Sequence, residues 1–133
     1  AEGADGEGAP SPGMLLRHYA PRAPLTLYAG PPAAALAHMR ADALRLAGEG
    51  RHVGVMVADE DAPAFAGTPA RVVPLGPRAD PAQTAARLFA TMRELDSAGV
   101  DAILARAPAH EGLGLAIWDR LVRAAEGRVV DTG

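Results

Sequence analysis

From Leu25 onward the chain alternates short apolar runs with amphipathic stretches punctuated by glycine and proline, a pattern that leaves few folds open. Leu25 to Tyr28 reads as a first strand. Gly30-Pro31-Pro32 interrupts it. Leu36, Met39, Ala43 and Leu46 then recur at three- and four-residue spacing, on one face of an Ala-rich helix ending at Gly48 or Gly50. His38, Arg40, Asp42 and Arg45 fall on its outer face. Val53 to Ala58 is nearly continuous in apolar residues, the mark of a strand covered on both faces, and is expected at the sheet centre. Asp59-Glu60-Asp61 follows as a solvated loop at the carboxyl end of that strand, where open sheets also bind ligands, with Ala62 to Gly67 as a short helical turn and Arg71 to Leu75 as another strand. In Asp80-Pro81-Ala82-Gln83 an N-cap aspartate, a proline at the first helical position and a glutamine at the third satisfy or remove unpaired amides. The helix they start carries Ala85, Leu88, Met92 and Leu95 as its apolar stripe, flanked by Phe89, and stops at Gly99. Ala102 to Ala105 reads as a strand, Leu113 to Ala125 as a helix, and Val129-Val130 as a short last strand.

Such alternation buries its apolar faces in a parallel sheet with right-handed crossovers and helices on both sides. The expected fold is α/β: a Rossmann-like three-layer α/β/α arrangement around a mostly parallel sheet of about five strands. Residues 25–133 make this single domain, preceded by an extended linker of residues 1–24. Apolar residues are 49% of the 133, but aromatics only 4%, so the core is built from small and branched side chains.

Residues 1–10 hold three glycines, three acids and no large apolar group, and cannot bury enough surface to order themselves. The next run, Ser11-Pro12-Gly13-Met14-Leu15-Leu16-Arg17-His18-Tyr19-Ala20-Pro21, packs reactive groups between helix breakers. Arg17 offers a planar fork for phosphate or carboxylate, His18 exchanges protons near neutral pH, and Tyr19 can stack or hydrogen-bond. A structural tie, with the tyrosine packed and the arginine ion-paired, would use the same groups.

Several chemistries are excluded. There is no cysteine, so disulfides, thiolate metal sites and cysteine nucleophiles are absent. All 13 basic residues are arginine, which rules out a phosphate-binding loop with its lysine and a Schiff base. A formal charge of -3 argues against strong direct nucleic-acid binding through bulk electrostatics. No apolar run is long enough to span a bilayer and no signal segment opens the chain, so no membrane partner is expected and the chain reads as soluble and intracellular. The histidines at 18, 38, 52 and 110 have no ligand spacing, and no metal site is expected. Gly112, Gly114 and Arg120 are candidate contacts for an anion, a nucleotide or a partner at a strand-to-helix junction. The two glycines serve equally to start the helix close to the sheet, and a third glycine of the dinucleotide spacing is missing. Trp118, beside Ile117, Leu121 and Val122, reads as core edge.

Ser11-Pro12-Gly13-Met14 followed by Arg17-His18-Tyr19-Ala20-Pro21 resembles the signature of the two-domain threonylcarbamoyl-AMP synthases, which act in making threonylcarbamoyladenosine on transfer RNA. Gly112-Leu113-Gly114-Leu115-Ala116-Ile117, with Asp119-Arg120-Leu121 and Ala124-Ala125, is similar to the terminal helix motif of that family's C-terminal domain. The resemblance implies an N-terminal catalytic domain that binds threonine, bicarbonate, ATP and magnesium. Across its mouth runs the linker bearing Ser11, Pro12, Gly13, Met14, Arg17, His18 and Tyr19, and a Rossmann-like C-terminal domain follows. The implied chemistry is nucleotidyl transfer: the threonine amine is carboxylated, and the carbamate attacks the α-phosphorus of ATP and releases pyrophosphate. The sequence supplies no such catalytic domain, so the chain is expected to be a fragment, inactive alone and without catalytic residues of its own. Leu16 stands where relatives often carry an aromatic or basic residue. The implied partners are the N-terminal domain and downstream tRNA-modification proteins, in the cytoplasm. The alternative is a noncatalytic Rossmann-like module that binds a nucleotide or a protein.

Overall fold

The computed structural model describes residues 21–106 and 112–133. Strand β1 (Leu25–Ala29) leads through helix α1 (Pro32–Gly48) to β2 (Val53–Val57), and a 3-10 helix (Asp59–Phe65) joins β2 to β3 (Arg71–Pro74). Helix α2 (Pro81–Ser97), β4 (Ala102–Arg106), α3 (Leu113–Ala124) and β5 (Val129–Asp131) complete the chain. The five strands are all parallel, in the order β3-β2-β4-β1-β5, which is the α/β alternation expected of the sequence. No helix of the described residues is long and apolar enough to cross a membrane.

The middle strand is β4, not β2 as the apolar run at Val53 to Ala58 suggested. All five residues of β2 are buried, but so are the first four of β4. A continuous apolar run reports cover on both faces, which every interior strand has, and is silent on which neighbour lies to each side.

Alternate residues of each strand enter opposite layers. On one face Val53, Val55 and Val57 of β2, Tyr28 of β1 and Leu104 of β4 pack with Ala35, Met39 and Ala43 of α1 and with Phe65. On the other, Leu25, Leu27, Met56, Ile103 and Ala105 pack with Leu88, Met92 and Leu95 of α2 and Ile117 and Leu121 of α3. Trp118 is half-buried against this second layer. Gly54 lets β2 approach α2 closely, since a Cβ there would lie 2.9 Å from Leu95 Cδ2. The start of α2 follows its local sequence: Asp80 Oδ1 accepts the Gln83 amide at 3.2 Å, and Pro81 begins the helix.

Candidate functional site

Open α/β sheets bind ligands outside the carboxyl ends of their strands. At that edge the 3-10 helix after β2 brings Asp61 beneath the end of β4. Asp61 is 2% exposed. Its Oδ2 accepts Arg106 Nη1 at 2.9 Å and its Oδ1 accepts Nη2 of Arg78, from the β3–α2 loop, at 2.5 Å. The two acids before it brace the same loop: Asp59 Oδ1 accepts the Gly76 amide at 3.0 Å and Glu60 Oε1 the Arg78 amide at 2.7 Å. The Arg78 amide also holds the exposed Glu60 carboxyl below the usual range.

The acidic triplet is therefore solvated only at Asp59 and Glu60, and it is not a loop. It forms the first turn of the 3-10 helix, which begins at Asp59 rather than at Ala62, and its third member is buried. Three acids in a row look alike in sequence, and the charges that distinguish Asp61 lie 17 and 45 positions away. Arg78 and Arg106 carried no local motif that would have singled them out.

The outer face assigned to α1 also needs correction at two positions. Arg40 Nη1 donates to the carbonyls of Ala64 at 3.0 Å and Ala66 at 2.7 Å, tying α1 to the 3-10 helix. Asp42 accepts the hydroxyl of buried Tyr28 at 2.6 Å. Both residues lie at the border of the apolar face, where a long or hydrogen-bonding side chain reaches inward. His38 and Arg45 are exposed, each 3.5 Å from Asp42.

The β1–α1 junction, where dinucleotide-binding folds seat phosphate, does not fit that ligand here. Pro31 and Pro32 remove two of the amides that a helix start would offer, and the C-terminal residues pack over the turn. The Thr132 amide and hydroxyl both donate to the Ala29 carbonyl, at 2.9 and 2.7 Å. Among the described residues no three His, Asp or Glu side chains converge as metal ligands, so this part of the chain does not fit magnesium.

Gly112 occupies the N-cap of α3 with φ 55° and Gly114 is buried in its first turn. Arg120 lies two turns on, about 12 Å along the axis from Gly112. The structure thus joins the two glycines at the head of α3 and sets Arg120 apart from them.

Ser11, Pro12, Gly13, Met14, Arg17, His18 and Tyr19 lie outside the described residues; the segment that follows them does not. The Arg22 amide donates to Asp96 Oδ2 at 3.1 Å and the Ala23 amide to Oδ1 at 3.4 Å. Arg22 Nη2 returns a bond to the Asp96 carbonyl at 3.1 Å, and the Pro24 carbonyl accepts the Ile103 amide at 2.9 Å. These contacts sit at the amino-terminal edge of the sheet, the opposite end from Asp61. Beside them opens a cleft of about 310 Å³ lined by Arg22, Ala23, Asp96, Gly99, Val100 and Asp101.

Comparison with known proteins bears on both ends of the chain. The family model "Threonylcarbamoyl-AMP synthase, C-terminal domain" matches residues 1–126. The chain is 38% identical to the threonylcarbamoyl-AMP synthase of Bacillus subtilis (strain 168) over 120 residues, which are 90% of this chain and 33% of that protein. It is 34% identical to the enzyme of the same name from Pyrococcus abyssi over 125 residues, 92% of this chain and 34% of that one. It therefore spans about a third of the length of these relatives. Among solved structures, P. abyssi Sua5 complexed with L-threonine superposes with a TM-score of 0.76 at 29% identity, over 100% of this chain and 38% of that one. The C-terminal Sua5 domain from Pyrococcus horikoshii does so at 0.66 and 27% identity, over 84% of this chain and 99% of that one. A family match running from the glycine-rich start through α3 takes in the run Ser11 to Pro21 together with the strands β1 to β4, and the chain belongs to the family of threonylcarbamoyl-AMP synthase C-terminal domains.

Proposed function

We propose that this chain is the accessory C-terminal part of a two-domain threonylcarbamoyl-AMP synthase, in which a linker of residues 1–24 gates the active site of an N-terminal catalytic domain and residues 25–133 form the body that carries it. The observation that supports this best is the reach of the family match, which includes residues 1–20 as well as the domain. The whole enzyme converts threonine, bicarbonate and ATP to threonylcarbamoyl-AMP and pyrophosphate, a nucleotidyl transfer. ATP and magnesium belong to the catalytic domain, in keeping with the poor fit of the β1–α1 turn to phosphate and of the described residues to a metal.

The work of this chain is cover. A carbamate and a mixed carboxyl-phosphoryl anhydride both hydrolyse readily, so a segment closed over them raises yield by excluding water. Arg17 supplies a fork toward developing phosphate charge, His18 and Tyr19 supply hydrogen-bonding edges, and Ser11-Pro12-Gly13-Met14 shapes the crossing. The product feeds tRNA modification in the cytoplasm, through downstream proteins that take up the labile adenylate.

The test is Arg17→Ala and Tyr19→Phe in the two-domain enzyme, with threonylcarbamoyl-AMP formed and ATP consumed measured together. Loss of product, or ATP consumption that outruns it, is expected. Unchanged turnover and coupling would remove the gating role. This chain alone is expected to catalyse no ATP–pyrophosphate exchange.

A further inference from the structure

A second cleft, of about 400 Å³, opens at the amino-terminal edge of the sheet. The end of α1, the start of β2, the approach to β3 and the α2–β4 turn each contribute to its wall. Ala47, Val53, Pro69, Ala70, Ala98 and Val100 give it apolar surface. Its charged lining is Arg51, His52 and Arg71, with no acid among the described residues that line it. In a chain of formal charge -3 that lining runs against the overall balance. Apolar walls with a few charges of one sign are the usual build of a small-ligand site, and the volume lies within the usual range.

Two helices point their carboxyl ends toward this cleft, which would disfavour an anion if their last carbonyls were bare. They are not bare: the amides of residues 49–51 donate back to the last carbonyls of α1, and those of residues 98–100 to the last carbonyls of α2. The three cations, by contrast, are loosely held. Arg51 Nε lies 3.7 Å from Glu49 Oε1, His52 Nδ1 3.7 Å from Asp101 Oδ2 and Arg71 Nη2 3.5 Å from Glu94 Oε2. Each pair is about half-exposed or more and longer than a good hydrogen bond, so it contributes little and leaves the arginine forks open to an oxyanion. The β2–β3 register sets Gly54 beside Arg71, which puts the Cα atoms of Arg51 and Arg71 about 11 Å apart, room for a ligand between their forks. We propose that this cleft binds a small organic phosphate of the nucleoside diphosphate kind, its base against the alanine, valine and proline surface and its phosphates between Arg51 and Arg71. Neither the gating role above nor the fold calls for a ligand at this edge, so the site stands or falls apart from both.

The experiment titrates this chain with ADP, adenosine and inorganic pyrophosphate by calorimetry, in the parent and in Arg51→Gln, Arg71→Gln, Ala98→Glu and Arg87→Gln. Arg87 is exposed on α2, about 16 Å along the helix axis from Ala98, and serves as the control. ADP should bind saturably, and adenosine and pyrophosphate, each carrying one half of the ligand, at least about tenfold more weakly. Loss of one charge-assisted hydrogen bond in Arg51→Gln or Arg71→Gln should weaken ADP about tenfold. Ala98→Glu sets an acid in the lining and should abolish binding, while Arg87→Gln should match the parent. All four positions are exposed, so melting should stay at the parent's value and folding does not enter the comparison. Absence of saturable heat with ADP up to about 10 mM overturns the site. So does pyrophosphate bound as tightly as ADP, ADP affinity unchanged in both Arg51→Gln and Arg71→Gln, or an equal loss in Arg87→Gln.

Discussion

Replacing Tyr28 with phenylalanine should remove a specific alkaline weakness of this fold. Tyr28 is 2% exposed and its hydroxyl donates to Asp42 Oδ2 at 2.6 Å. Burial first, and then the bond to Asp42, push its pKa far above the ordinary tyrosine value of about 10. A group whose pKa is raised by folding adds stability that is fully present below its unfolded pKa and is lost as pH climbs toward the folded one. Above about pH 10 the unfolded chain releases this proton and the folded chain keeps it, so stability falls by about 1.4 kcal/mol per pH unit. The sequence makes the measurement clean. Without lysine or cysteine, the side chains that titrate in this range are the two tyrosines. At neutral pH Tyr28→Phe loses one hydrogen bond to a charged acceptor. Asp42 keeps Arg45 and His38 nearby, each at 3.5 Å, which limits the cost to about 1–2 kcal/mol. Urea unfolding followed by circular dichroism should show the parent losing about 2 kcal/mol from about pH 10 to about pH 11.5. The variant starts lower and stays nearly flat, so the two curves converge. A Phe variant with the parent's slope would place the proton on another group and refute the reasoning.

Asp61→Ala should cost about 3–4 kcal/mol, because it strands Arg106, whose side chain is 12% exposed; half-exposed Arg78 adds about 1 kcal/mol at most. Melting should drop by roughly 10 °C, and pairing Asp61→Leu with Arg106→Met should recover most of it; a single variant within about 1 kcal/mol of the parent would mean the cluster contributes little. Gly54→Ala should cost about 1–3 kcal/mol through its clash with buried Leu95, and a shorter side chain at position 95 should relieve part of that. Unchanged urea midpoints would show β2 and α2 lying farther apart than the structure has them.

What the sequence determined by itself was everything that acts over a few residues. Strand and helix periodicity placed the five strands and the three α-helices, because the side-chain periods of 2 and 3.6 are properties of the backbone alone. The Asp80-Pro81-Gln83 start of α2 was readable for the same reason, since a cap and its amide lie three residues apart. Sequence also carried the run Ser11 to Pro21, whose groups are contiguous, and with it the family. The tertiary structure decided what depends on distant partners: that β4 and not β2 is central, that one acid of an identical-looking triplet is buried, and that Arg40 and Asp42 turn inward. Arg106 finds Asp61 across 45 positions and Arg22 finds Asp96 across 74. Charge pairing at such separations is set by which strand ends and loops the sheet order brings together, and no local pattern records that order.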